Sequence, residues 1–235
     1  MRNNGFRYRA LLLGPLWMSF LLGLSPAFAT ESSDTSGAWR ASVRQFAVEH
    51  FRHPAWGFSH SVRDYELARE LAREDKLNLD DDVLYAAAYL HDMAAFAPWD
   101  REKEGIDHAD EAARIVDTVL RGTGFPMAKI DAVRAAIKTH MFDRDPVSAE
   151  ARYLHDADAL DWLGAVGVAR IIALVDPNGG DPDGPKAVKM LIDNLAAVPQ
   201  RVLSPSGRRL AKVRAAELQR FLDELRQETD GLRTL

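Results

Sequence analysis

Cysteine is absent from the 235-residue chain. This excludes disulfides, zinc fingers, thiolate-bound clusters and a cysteine nucleophile, so any metal must be held by nitrogen and oxygen ligands. The chain also lacks a run of lysine and arginine, and its formal charge is -5. We therefore expect no nucleic-acid polymer as a partner, because such a partner needs a basic surface. With 47% hydrophobic and 28% charged residues, the composition is that of a globular protein with one sizeable core.

The first 29 residues have the pattern of a secretory signal peptide. Arg2, Arg7 and Arg9 precede an apolar run at 10–24, and Ala27-Phe28-Ala29 is a small-x-small cleavage site. The run has 15 residues, fewer than the roughly 20 that a membrane-spanning helix needs. We predict cleavage after Ala29, export to the periplasm as a secreted protein, and no stable membrane anchor after cleavage. The alternative is an uncleaved amphiphilic anchor.

Beyond the leader, apolar residues recur with a helical period, and no segment alternates convincingly with the period of a strand. We predict an all-α protein with one domain at 39–228, between a flexible tail at 30–38 and a C-terminal tail at 229–235. Asp80 or Asp81 and Asp107 are candidate N-caps. A turn-rich loop at 176–185 precedes two helices that form a C-terminal helical extension. The helices are predicted at 39–51, 59–75, 83–92, 107–122, 126–140, 149–175, 186–196 and 206–228.

Histidines and aspartates interrupt the apolar faces of four of these helices. His60 opens the second, His91 and Asp92 end the alanine-rich third, His140 extends the apolar stripe of the fifth, and Asp158 lies on the apolar face of the sixth. Taken singly, each is explained as a hydrogen-bonded core histidine, a cap or a surface charge. Several unpaired polar groups in one core would each destabilise the folded protein by about 1–3 kcal/mol. Their convergence therefore predicts a bound cation.

The order His60, His91-Asp92, Asp158 resembles that of the HD superfamily of metal-dependent phosphohydrolases. Further segments are similar to small stand-alone HD hydrolases that act on nucleotides: Gly124–Pro126, Lys129–Val133, Ala136-Ile137, His140–Phe142, Asp156–Leu160 and Gly164–Arg170. The resemblance covers about residues 45 to 228 and implies a single helical HD domain.

The resemblance implies a single divalent metal held by His60, His91, Asp92 and Asp158. Imidazoles and carboxylates suit manganese, iron, zinc, nickel or cobalt better than calcium or magnesium. Such an ion would activate a water against the phosphorus of a small phosphorylated substrate, a nucleotide or another metabolite, with Asp92 as the candidate base.

Four cations are candidates to hold the substrate phosphates, and Arg144 is preferred because its fork could reach the metal-bound group. They are Arg63, Lys103, Arg144 and Arg170. Asp156 and Asp161 are interpreted as residues behind the ligands or on the helix surface. Trp56 and Phe58 either line a base-binding wall or pack in the core.

His108 and His140 bind either a second metal or the phosphate. The apolar stripe predicts that His140 points inward, whereas His108 could face water. If both converge on Asp92, that carboxylate can bridge two ions; we expect one ion, with both histidines near the phosphate.

Three alternatives to a phosphohydrolase remain: an HD-type di-iron oxygenase, a hydrolase of a non-phosphate substrate, and a non-catalytic metal-containing binding module. The oxygenase is an alternative because its ligand order also matches His60, His91, Asp92, His108, His140 and Asp158. The sequence carries no signal for an oligomeric state.

Overall fold

A computed structural model describes residues 35–174 and 184–235. The predicted signal peptide and most of the turn-rich loop lie outside these residues. Within them the secondary structure is helical and no strand forms, which confirms the all-α prediction. No helix in this part of the chain has the length and apolar character needed to cross a membrane.

The helices are α1 (Thr35–His50), α2 (Phe58–Glu74), α3 (Asp81–Leu90), α4 (His108–Ile115), α5 (Asp117–Leu120), α6 (Ile130–Lys138), α7 (Ala149–Leu160), α8 (Gly164–Ala173), α9 (Gly184–Arg201) and α10 (Pro205–Glu228). Short 3-10 turns form at Met93–Ala95, Glu102–Glu104 and Met127–Lys129.

Side-chain caps set where several helices begin. The Asp80 carboxylate accepts hydrogen bonds from the backbone N–H groups of Asp82 and Val83, and Asp107 does the same for Ala109 and Asp110. Each cap satisfies N–H groups that have no partner within the helix. Asp80 and Asp107 thus cap α3 and α4 as predicted.

Several predicted helix boundaries differ from the structure, and three of the differences change how the chain is divided into helices. Residues 35–38 of the predicted flexible tail are already helical, because α1 begins at Thr35. The predicted fourth helix breaks at Val116 into α4 and α5, where the Thr118 hydroxyl donates to the Ile115 carbonyl over 2.7 Å. The predicted sixth helix divides into α7 and α8, because Leu163 is extended and Gly164 has a φ of +63°.

The core surrounds α3, in which every residue from Val83 to Leu90 is buried. Its alanines allow close packing. Helix α2 packs against α3 and α7, while α6 packs against α3 and α4. Helices α9 and α10 pack on α8 and on each other as the C-terminal extension. This arrangement brings the first turn of α2, the end of α3, the end of α6 and the last turn of α7 together.

Candidate metal centre

A buried cluster of imidazoles and carboxylates lies where these four helices meet. His60, His91 and Asp158 are at most 4% exposed. Nε2 of His60 lies 3.3 Å from Nε2 of His91 and 3.3 Å from Oδ1 of Asp158. The structure therefore brings together predicted ligands from three helices.

The two carboxylate oxygens of Asp92 face different pairs of imidazoles. Oδ2 lies 3.3 Å from Nε2 of His91 and 3.6 Å from Nε2 of His60. Oδ1 lies 3.4 Å from Nε2 of His108 and 3.5 Å from Nε2 of His140. Both histidines thus converge on Asp92, including His108, for which no apolar stripe predicted an inward position.

The orientation of three imidazoles is set by acceptors at Nδ1. The Nδ1–H of His91 donates to the Ala88 carbonyl over 2.8 Å, and that of His140 donates to Ile137 over 2.6 Å. The Nδ1–H of His60 donates to the carboxylate of Asp161 over 2.9 Å. With the proton at Nδ1, each ring directs Nε2 toward the centre, as metal-binding histidines do.

Asp161 lies behind His60 and is only 2% exposed. Its carboxylate accepts from Nη2 of Arg63 over 2.7 Å and lies 3.1 Å from Nη1 of Arg170. Although burial opposes ionisation, His60 and the two arginines hold the pKa of Asp161 well below its usual range. Arg63, a predicted phosphate-binding candidate, therefore pairs with the carboxylate that holds His60.

Asp64 is part of the cluster, and the sequence reasoning missed it. Its side chain is fully buried, with Oδ2 3.1 Å from Nε2 of His60 and 3.7 Å from Nε2 of His91. Among the residues described, neither of its oxygens has a hydrogen-bond partner. The available signal was its spacing, four residues after His60 and on the same helix face as Ala68.

Without a cation, two groups in the cluster, Asp64 and His60, have strongly shifted pKa values. Burial raises the pKa of Asp64 well above its usual range, against the attraction of His60. Burial also lowers the pKa of His60, but Asp64, Asp158 and Asp161 outweigh it and raise that pKa to about 10. A cation must therefore displace a proton from His60, and metal affinity is expected to rise with pH.

The residues present fit a divalent transition metal. The cluster contains two sets of potential ligand atoms, and within each set all the atoms lie within 4.8 Å of one another. One set comes from His60, Asp64, His91 and Asp158, and the other comes from His91, Asp92 and His140. In the part of the chain described, both Asp64 oxygens and Nε2 of His140 are buried without hydrogen-bond partners. Imidazole nitrogens and carboxylate oxygens suit first-row metals, and a cation would provide the partner that these atoms lack.

A pocket of about 390 Å³ opens directly onto the cluster. Asp92, His108 and Asp158 form part of its lining, and the indoles of Trp56 and Trp162 form another part. Trp56 is thus at the wall, whereas Phe58 packs near Tyr89. A larger cleft of about 940 Å³ beside α2 contains none of the cluster residues, so the smaller pocket is the candidate substrate site.

Of the four predicted phosphate-binding cations, only Arg170 lines this pocket. Arg144 instead pairs with Asp107 over 2.8 Å and with Asp110 over 3.0 Å. These acids lie at the start of α4 and attract its guanidinium away from the cluster. Lys103 is exposed in the 3-10 turn at 102–104 and does not line the pocket.

Comparison with known proteins agrees with this arrangement. Residues 57–163 match the model of the HD domain family. A predicted HD superfamily hydrolase from an uncultured Thermotogales bacterium is 26% identical, with a TM-score of 0.56, and the alignment covers 81% of this chain and 90% of that chain. No curated protein matches the chain.

Two further crystal structures show the same fold. A Lactobacillus plantarum protein is 22% identical with a TM-score of 0.63, over 81% of this chain and 96% of its own. Bacillus subtilis YpgQ, in a structure in complex with ADP, is 21% identical with a TM-score of 0.61, over 82% of this chain and 98% of its own.

The fold and its buried cluster define an all-α HD domain. Residues 57–163 carry this domain, and the chain is similar over 81% of its length to a predicted HD superfamily hydrolase, in agreement with the motifs. Its relatives and its His/Asp cluster support a metal-dependent hydrolase in general.

Proposed function

We propose that this protein hydrolyses phosphate esters or anhydrides of nucleotides or other small phosphorylated metabolites. The observation that carries the proposal is the position of the His/Asp cluster beside a pocket of about 390 Å³, a volume within the range of small-molecule sites. The ADP complex of the structural relative YpgQ supports a nucleotide as the substrate class.

His60, His91, Asp92 and Asp158 are the residues that would hold the metal. A divalent ion bound there supplies Lewis acidity toward a phosphoryl oxygen and a water of lowered pKa. Burial opposes the ionisation of Asp92, but His91, His108 and His140 hold its pKa well below its usual range. Asp92 therefore stays ionised, and it orients the attacking water as an acceptor more readily than it acts as the base first expected.

His108 is placed to donate a proton to the leaving oxygen if one ion is bound. Its side chain is 29% exposed and lines the pocket, while Nε2 lies beside Asp92. Burial lowers its pKa, but Asp92 and Asp107 outweigh this effect and raise it. The raised pKa favours the protonated ring, which is the form that a general acid requires.

The wall away from the cluster suits a planar ring. The guanidinium carbon of Arg170 lies 3.6 Å from the ring centroid of Trp162, and Trp56 stacks on His53 with ring centroids 3.5 Å apart. Nε of Arg170 donates to the Ala55 carbonyl over 2.6 Å, which ties α8 to the loop that carries Trp56. Because these contacts hold both indole rings in place, the wall favours a nucleobase or another aromatic leaving group.

The rim of the pocket limits how many phosphates the substrate carries. Asp100 and Glu102 line the pocket together with Asp107, whose charge Arg144 offsets, and like charges disfavour a polyanion. We therefore propose that substrates with one or two phosphates are preferred over triphosphates.

A phosphate-release screen on the metal-loaded protein tests this proposal. Nucleoside mono-, di- and triphosphates and sugar phosphates are compared with manganese, cobalt, nickel, zinc and ferrous ions, with Asp158→Ala as the matched inactive control. Release that depends on metal and is lost in the control is expected. Metal binding with no release from any phosphate compound would contradict the proposal and favour a binding module or a non-phosphate substrate.

A di-iron oxygenase is the second candidate, because His108 and His140 both lie within 3.5 Å of the same Asp92 oxygen. A carboxylate with imidazoles on both sides can bridge two ions. Metal counting after His108→Ala and His140→Ala distinguishes the cases: a fall from two ions to one indicates a two-metal site. Substrate-dependent oxygen uptake by the iron-loaded protein would favour the oxygenase.

We also propose that the protein is exported. The support is the sequence pattern of its first 29 residues, with a basic start, a short apolar run and the small-x-small site before Thr30. N-terminal sequencing of the protein from the cell envelope should begin at Thr30 or within a few residues. An intact Met1 on membrane-associated protein would contradict the proposal.

A further inference from the structure

We infer that Asp64 is an additional metal ligand, which gives the site a preference for manganese or ferrous iron over zinc. The carboxylate is fully buried, and its Oδ2 lies 3.1 Å from Nε2 of His60 and 3.7 Å from Nε2 of His91. It shares a set of potential ligand atoms with these two histidines and Asp158. The inference does not depend on which substrate the protein hydrolyses.

The hydrogen-bond inventory separates Asp64 from a structural acid. Both oxygens of Asp64 lack a hydrogen-bond partner within the described residues. The nearby arginines do not supply one, because Arg63 and Arg170 are directed to Asp161. A buried carboxylate without donors is strongly disfavoured unless a cation binds it.

A structural acid in the same protein looks different. Asp156 is equally buried, but its two oxygens accept from the backbone N–H groups of Leu203 over 2.9 Å and Ser204 over 2.6 Å. It therefore needs no cation and provides a matched control for the loss of a buried carboxylate charge.

The donor count leads to the metal preference. Without Asp64, the ligand set consists of the imidazoles of His60 and His91 and the carboxylates of Asp92 and Asp158. These four ligands are enough for the four-coordinate geometry that zinc usually adopts. Asp64 adds a fifth protein ligand and a third carboxylate. More oxygen donors and a higher coordination number suit manganese and ferrous iron better than zinc.

Chelator competition with Asp64→Asn tests the inference without measuring activity. We expect its dissociation constant for Mn²⁺ to rise by at least about 100-fold, because the loss of a residue that only supports a ligand already costs up to that much. The constant for Zn²⁺ should change at most a few-fold, because four ligands remain. Asp64→Ala is the second variant and should show the same difference between the two ions.

The controls distinguish a ligand from a residue that positions His60. In the cobalt-loaded protein, Asp64→Asn should strengthen the visible absorption band, because the band gains intensity as the coordination number falls. Asp156→Asn should lower the thermal midpoint without changing either metal affinity. An unchanged Mn²⁺ affinity in Asp64→Asn, or equal losses for Mn²⁺ and Zn²⁺ with an unchanged cobalt band, would overturn the inference.

Discussion

Two regions of this molecule satisfy their buried and half-buried aspartates in opposite ways. At the C-terminal clamp, which we define as Asp75 and Asp156 with residues 203–206, the carboxylates are surrounded by donors. Asp75 accepts from the backbone N–H and hydroxyl of Ser206 and from the Tyr153 hydroxyl. In the metal centre, the buried oxygens of Asp64 and Asp158 face imidazole Nε2 atoms instead.

The difference shows that burial alone does not identify a ligand. Asp156 and Asp158 are two residues apart on α7, and both are at most 4% exposed. Backbone N–H groups satisfy the charge of Asp156, whereas Asp158 faces an imidazole Nε2 atom that can meet its charge only through a proton or a bound cation. The neighbours of a buried acid therefore decide whether it is structural or functional.

Of the changes that we predict, loss of a metal ligand should have the largest effect on hydrolysis and on the stability that bound metal gives. Asp158→Ala and His91→Ala should abolish hydrolysis and the stabilisation that bound metal gives, about 2.7 kcal/mol at a free metal concentration of 100 times Kd. Thermal unfolding with and without metal, combined with turnover, measures both losses. Full metal content and turnover in Asp158→Ala would remove it from the ligand set.

Breaking the clamp should instead destabilise the protein whether or not metal is bound. Asp156→Ala leaves the backbone N–H groups of Leu203 and Ser204 without their acceptor, at a cost of about 1–3 kcal/mol each. Denaturant unfolding should show similar losses in the two forms. A loss seen only in the metal-loaded protein would place Asp156 in the metal centre.

Asp161 should have a smaller effect, because it acts through His60. Asp161→Asn weakens the acceptor at Nδ1 of His60, and we expect metal affinity to fall about 10- to 100-fold. Chelator competition measures the change, with Asp156→Asn as the control. If Asp161→Asn keeps the wild-type affinity, the carboxylate is not required to orient His60.

The smallest effect concerns the acid stability of the clamp. Desolvation raises the pKa of Asp75, but hydrogen bonds from Ser206 and Tyr153 outweigh it and lower the pKa in the folded state. The resulting stability is present above the unfolded-state pKa of about 4 and is lost as pH falls through the lower folded-state pKa. In metal-free protein, Asp75→Asn should lower stability at pH 6 and reduce its dependence on pH below about 4. An unchanged acid dependence would exclude Asp75 as its source.

The sequence predicts the helical fold and much of the centre because its polar ligands interrupt apolar helix faces. His60, His91, Asp92, His140 and Asp158 are found by that signal. Asp64 escapes it because a single aspartate beside Arg63 in the second turn of α2 has the pattern of an exposed surface charge. Only the packing of α2 against α3 and α7 shows that no hydrogen-bond donor among the described residues reaches it.

The positions of the arginines could not be predicted for a related reason. Arg144 follows His140 closely in sequence, but the acids at the start of α4 bind its guanidinium. Arg63 is held by Asp161, which is 98 residues away in the chain. Long flexible cations take the nearest carboxylate in three dimensions, which sequence spacing alone does not reveal.

The central claim is that the buried His/Asp cluster is a metal centre. Its most direct test is a Mn²⁺ titration of chelator-treated protein, followed by calorimetry and by the thermal midpoint, with Asp158→Ala titrated in parallel. The account predicts saturable binding of at least one ion per chain and a rise in the midpoint, with both weakened in Asp158→Ala. No saturable binding of Mn²⁺, or binding that is unchanged in Asp158→Ala, would contradict it.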